Sequence, residues 1–209
     1  MVRDPPQARG NVTAPGDAPL IVTAQLPREL HARFTALRTA HFPPERNYLE
    51  AHVTLFHALP AMCEGEACTL FKRLAAEFAS VEARVEGIMP LGGGTAIKLS
   101  SPAMLSLRDL IAEHFRGMLT QQDQHRPRLH VTIQNKVTGK EAKALQAQLA
   151  GTIMPQPFAF HGLELFRYRG GPWEPVKACG VCTQNPVRVH ALRWSQWNRI
   201  HRRSRTDAF

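Results

Sequence analysis

The 209-residue chain has no uninterrupted run of about 18 apolar residues, so a membrane-spanning helix is not expected. It also lacks a short apolar core near the start, which argues against an export signal; the proline- and glycine-rich stretch 1–18 reads instead as a disordered lead. Cysteine is scarce, with four thiols at Cys63, Cys68, Cys179 and Cys182, too few for a disulfide scaffold and consistent with a reducing cytoplasm. The Cys179/Cys182 pair is spaced like half a zinc site, with Cys63 and Cys68 as the other half. The loose first spacing favours ordinary free thiols. Acidic residues are outnumbered, 17 against 26 Lys and Arg, giving a formal charge of +9 that suits a polyanionic partner such as nucleic acid.

Missing motifs narrow the chemistry further. There is no His-Glu-x-x-His and no carboxylate cluster beside any histidine pair, so no catalytic metal or other cofactor is expected. No Gly-x-Ser-x-Gly marks a serine nucleophile. The triple glycine Gly92-Gly93-Gly94 is not followed by Gly-Lys-Ser/Thr and reads as a hairpin turn rather than a phosphate cradle.

What is present twice is His-Val-Thr followed by Leu or Ile, at His52–Leu55 and His130–Ile133, 78 positions apart. In a strand, side chains alternate between faces, so His52 and Thr54 share one face and His130 and Thr132 another. If both strands lie in one shared concave sheet, two imidazoles and two hydroxyls converge. One imidazole can accept a proton while the other donates one, and the hydroxyls can bind non-bridging phosphate oxygens. Strand alternation adds Glu50 and Phe56 to the first face and Arg128, Gln134 and Lys136 to the second. Arg128 and Lys136 are candidates for steering a polyanion, and Phe56 for contacting substrate.

The surrounding pattern predicts strands over 20–26, 48–58, 81–90, 95–99, 128–137, 158–169 and 173–182. Helices are expected from Pro27 through Ala40 (Leu30, Phe34 and Leu37 inward), over 69–80, from the Ser101-Pro102 cap to about Met118, and from the Thr138–Glu141 capping box onward. This is an α/β (α+β) chain, and two passes of strand and helix suggest an internal duplication. After residue 182 six arginines and two tryptophans, Trp194 and Trp197, make a basic tail over 183–209. It either binds single-stranded RNA or docks as an amphipathic helix.

The two motifs, with Leu165-Phe166-Arg167-Tyr168 and Gly170-Gly171-Pro172-Trp173 in support, resemble the two-histidine phosphoesterase superfamily, most of all its 2′-5′ RNA ligase-like branch. The resemblance covers about residues 20–182. It implies a bilobal fold of two pseudo-symmetric, antiparallel-rich sheets around a central cleft, with outer helices, and a monomer. The implied activity is metal-free opening of RNA 2′,3′-cyclic phosphate ends to 2′-phosphates, and in some members the joining of a cyclic phosphate end to a 5′-hydroxyl as a 2′-5′ linkage. The implied site is His52 and His130 for protons and Thr54 and Thr132 for phosphate, with Tyr168 as a further substrate contact. Two alternatives stay open, a non-catalytic RNA-binding protein and a phosphodiesterase for 2′,5′-oligonucleotides or a cyclic metabolite.

Overall fold

A computed structural model describes residues 18–77 and 80–180. The lead before Ala18, the arginine-rich tail, Phe78 and Cys182 lie outside the described residues. The chain runs β1 (Leu20–Gln25), α1 (Arg28–His41), β2 (Val53–Leu59), α2 (Glu64–Glu77), β3 (Val81–Pro90), β4 (Thr95–Ser100), α3 (Pro102–His114), β5 (His130–Gln134), α4 (Gly139–Leu149), β6 (Gln156–Phe160), β7 (Gly162–Tyr168) and β8 (Trp173–Gly180). The capping signals act as their chemistry requires. The Ser101 hydroxyl accepts the Met104 amide ahead of Pro102, and Thr138 and Glu141 close a reciprocal capping box.

Eight strands form two four-stranded antiparallel sheets, in the orders β2-β1-β7-β8 and β5-β4-β3-β6. The single shared sheet is therefore corrected to two, and the bilobal, pseudo-symmetric arrangement is the one observed. Each motif strand is the outer edge of its own sheet, and β2 and β5 approach each other across the lobes. The expected strand over 158–169 is in fact two strands in different sheets, since the chain leaves β6 at Phe160 and enters β7 at Gly162. Helix α2 starts at Glu64, a turn earlier than its apolar stripe suggests, and α3 ends at His114, leaving Met118 exposed.

Continuous apolar runs such as Leu20–Val22 supply the central strands, and Phe34, Phe56, Phe71, Phe115 and Phe160 are fully enclosed. Each buried ring contributes about 2–3 kcal/mol through area removed from water. The triple glycine does more than turn the β3–β4 hairpin. Gly92 takes φ +78°, and Gly94 lies so close to the Gln134 carbonyl that a Cβ would overlap it, which brings the turn against the end of β5.

The polar stretch 120–127 is likewise more than a connector. The Asp123 carboxylate, with its side chain 1% exposed, accepts the backbone N–H groups of His57 (2.9 Å) and Ala58 (2.9 Å) and pairs with His57 Nδ1 at 3.0 Å. It thereby satisfies the open edge of β2. Burial alone would raise the Asp123 pKa, but the bonds from His57 and Ala58 outweigh it and hold the carboxyl below its ordinary value. A depressed carboxyl pKa contributes stability above the unfolded value and loses it as pH falls through the folded one. Asp123→Ala is accordingly expected to cost about 3 kcal/mol at pH 7. The gap from the parent should narrow at pH 3, which urea unfolding at both pH values measures.

Candidate active site

His52 stands immediately before β2, at the end of an extended loop from Tyr48 rather than inside a strand, and His130 opens β5. Around both, burial alternates: Val53 and Leu55, like Val131 and Ile133, are buried, while His52, Thr54, His130 and Thr132 are half-buried. Each imidazole is held in the same way. His52 Nδ1–H donates to the Glu50 carbonyl at 2.8 Å and His130 Nδ1–H to the Arg128 carbonyl at 2.7 Å. A carbonyl can only accept, so Nδ1 carries the proton in both rings and Nε2 is the ring atom not bound by this contact.

Both motif strands then break alternation at the same point. Thr54 faces Thr23 but Phe56 faces Val22, so β2 carries one extra residue at Leu55. Thr132 faces Ala96 but Gln134 faces Thr95, so β5 carries one at Ile133. These paired bulges turn the fourth residue after each histidine inward. Phe56 is fully buried with the Arg108 guanidinium 4.5 Å from its ring centroid, which corrects its assignment as a substrate contact. Gln134 is buried against Thr95 and is also off the open face.

The remaining candidates are less closely placed. Arg128 and Lys136 are exposed, and Arg128 lends its carbonyl to His130. Lys136 has φ +61° and lies beyond the end of β5, so strand alternation does not reach it. Tyr168 is half-buried at the end of β7, outside the lining of the cavity beside His52.

Two buried arginines, which no motif announced, reach across between the lobes. Arg38 on α1 donates from Nε to Asn47 Oδ1 and the Leu49 carbonyl, each at 2.9 Å, and from Nη1 to the Thr132 carbonyl at 2.9 Å. Arg108 on α3 donates to the carbonyls of Asp123 and His125 and lies over Phe56. Each fixes the loop that leads into the motif strand of its own half and touches the strand of the other. Arg38 is four residues from buried Phe34, so the helical period that identified Phe34 also places Arg38 inward; the buried stripe runs Phe34–Arg38, with Leu37 only partly buried.

Beside His52 opens a cavity of about 560 Å³ lined by Tyr48, Glu164, Phe166 and Trp173 among others. The Trp173 ring packs on His52 with centroids 4.5 Å apart, and Phe166 backs Trp173 at 5.6 Å. Arg167 steadies this hairpin through a bidentate pair with Glu64 at the start of α2 (both 2.6 Å) and a bond to Glu174 at 2.7 Å. At the rim His31 pairs with Glu50 at 3.3 Å. Cys63, Cys68 and Cys179 are free thiols, and no three His, Cys, Asp or Glu side chains gather among the described residues.

The His52 pKa is lowered to about 4: removal from water is the main cause, the bond to the Glu50 carbonyl opposes it, and the charges of Arg38, His130 and His57 add to the lowering. Burial also lowers the Arg38 pKa, to about 10, so the guanidinium stays charged at neutral pH. Arg38→Met leaves the Leu49 and Thr132 carbonyls without this donor and is expected to cost about 2–4 kcal/mol in chemical denaturation. It should also move the His52 titration upward from about 4, because a repelling charge is gone. An imidazole titration followed by NMR measures this, and an unmoved His52 would show the two groups to be uncoupled.

The family described as the 2′-5′ RNA ligase superfamily matches residues 26–172. Among solved structures, TT0787 of Thermus thermophilus is similar with a TM-score of 0.54 and 18% identity, over 80% of this chain and 100% of that one. A structure described as a phosphoesterase gives 0.50 and 19%, over 79% and 98%. Escherichia coli LigT complexed with 3′-AMP gives 0.48 and 17%, over 79% and 98%. No match is found among curated proteins. The family match spans most of the chain and falls on the two lobes and both motifs, so the chain belongs to the 2′-5′ RNA ligase superfamily of two-histidine phosphoesterases, and that membership supports a phosphoesterase-like catalytic role.

Proposed function

We propose that the protein is a metal-independent phosphodiesterase that opens 2′,3′-cyclic phosphate ends of RNA, or the corresponding nucleotides, to 2′-phosphates. The observation that carries this reading is the matched setting of the two imidazoles on facing sheet edges. Each has its Nδ1 proton tied to the carbonyl two residues back, so the proposed proton transfers are assigned to Nε2.

In the hydrolytic direction His52 is the base. A histidine held near pKa 4 is neutral at pH 7 and can take a proton from water as the water oxygen bonds to phosphorus. His130 then gives its Nε2 proton to the 3′-oxygen as the P–O3′ bond breaks. The Thr54 and Thr132 hydroxyls donate to the non-bridging oxygens, where charge is redistributed in the transition state. With an RNA 5′-hydroxyl attacking in place of water, the same proton movements join the ends as a 2′-5′ linkage. Arg128 and Lys136, both exposed, add to the field that draws a polyanion in.

With EDTA present, the purified chain is expected to hydrolyse 2′,3′-cyclic nucleotides, and His52→Ala and His130→Ala each to lower kcat by about 10²–10⁴. Thr54→Val and Thr132→Val should each cost about 10²–10³. Full activity in either histidine variant, or RNA binding without turnover, would sink the proposal. Because kcat/KM reports the free enzyme, its acid limb should fall near pH 4 rather than near an ordinary histidine value of about 6.5, and a pH–rate profile checks this.

A further inference from the structure

We infer that the cavity beside His52 is a nucleobase subsite in which Glu164 selects guanine, an inference that rests on the proposed action on cyclic nucleotides. Thr54 lies directly across from Thr23, and Thr23 directly across from Glu164, so the three form one row over β2, β1 and β7. Two strand spacings separate the ends of that row, on the order of 10 Å. This is comparable to the reach from the phosphorus of a nucleotide to the far edge of a purine. A phosphate held at Thr54 therefore places its base over Glu164.

The walls suit a base. Trp173 packs on His52 and is backed by Phe166, so an aromatic surface runs from the phosphate position into the cavity. At about 560 Å³ the space is ample for a ribose and a purine. Glu164 is half-buried in the lining, and the Thr23 hydroxyl donates to its Oε2 at 3.2 Å, which fixes the carboxylate. A carboxylate offers two adjacent acceptors. Guanine alone among the four bases presents two adjacent N–H donors, N1–H and N2–H, on its Watson–Crick edge. Adenine and cytosine set an acceptor beside a donor, and uracil flanks its single N–H with carbonyls that repel the carboxylate. Partial burial strengthens both the match and the mismatches.

The test is kcat/KM on the four 2′,3′-cyclic nucleotides, paired with calorimetric binding of guanosine and adenosine 2′-monophosphates to His130→Ala. The guanosine substrate is expected to lead by at least about tenfold. Glu164→Gln, close in shape, should remove that lead mainly by raising KM for the guanosine substrate. Preferential binding of the guanosine monophosphate with no turnover of any cyclic nucleotide would support the subsite while overturning the catalytic reading. Equal affinity for both monophosphates, or a guanine preference that survives Glu164→Gln, overturns the subsite.

Discussion

Two guanidinium groups hold this molecule in working order. The catalytic candidates sit on edge strands of separate sheets, and among the described residues no backbone ladder joins those edges. Arg38 crosses from α1 to the Thr132 carbonyl, and Arg108 crosses from α3 to the Phe56 ring, so each half reaches for the motif strand of the other. A buried guanidinium is costly unless its donors are met, and backbone carbonyls are acceptors that cannot titrate away; among the described residues the Arg108 Nε is the one buried side-chain donor left without a partner. The outcome is a joint whose geometry depends on few atoms. Asp123 adds the opposite sign on the other open edge, where a carboxylate accepts the N–H groups of β2.

The bulges explain why the motif is as short as it is. A regular strand would set every second residue on the open face, making it a long polar stripe. One extra residue at Leu55 and another at Ile133 end the stripe after two side chains, His then Thr, and return the next position to the core. Phe56 can then be the surface over which Arg108 lies, and Gln134 can bond with Thr95. The same local break thus limits the reactive surface and supplies anchors for the cross-lobe contacts.

Much of this was legible in the sequence, because the relevant signals are local. Period-two alternation around His52 and His130, the caps at Ser101 and Thr138 and the apolar stripes each follow from residues near one another in the chain. What stayed hidden depends on distant partners. Strand alternation carried too far placed Phe56 on the open face, since a bulge has no signature of its own in a run such as Leu55-Phe56. An apolar stretch over 158–169 cannot reveal that His161 is a crossing point between sheets. Arg38 and Asp123 look like ordinary solvated charges until the opposite lobe is present to bury them. Trp173 and Phe166 supported the resemblance without being assigned to the site, because their nearness to His52 is created by β7 returning to the sheet of β1.

The two imidazoles are held alike, each by a carbonyl two residues back, and the proposed reaction requires that they nevertheless differ in charge. Two identical imidazoles would compete for the same proton and could not be told apart as acid and base. The setting of His52 supplies one half of such a difference: it loses water and feels the charge of Arg38, both of which favour the neutral ring. The single hydrogen bond to Glu50 opposes this and is outweighed. The cation that joins the lobes therefore also biases His52 toward its neutral form. A change that loosened the joint would disturb both the spacing of the motifs and the protonation of His52.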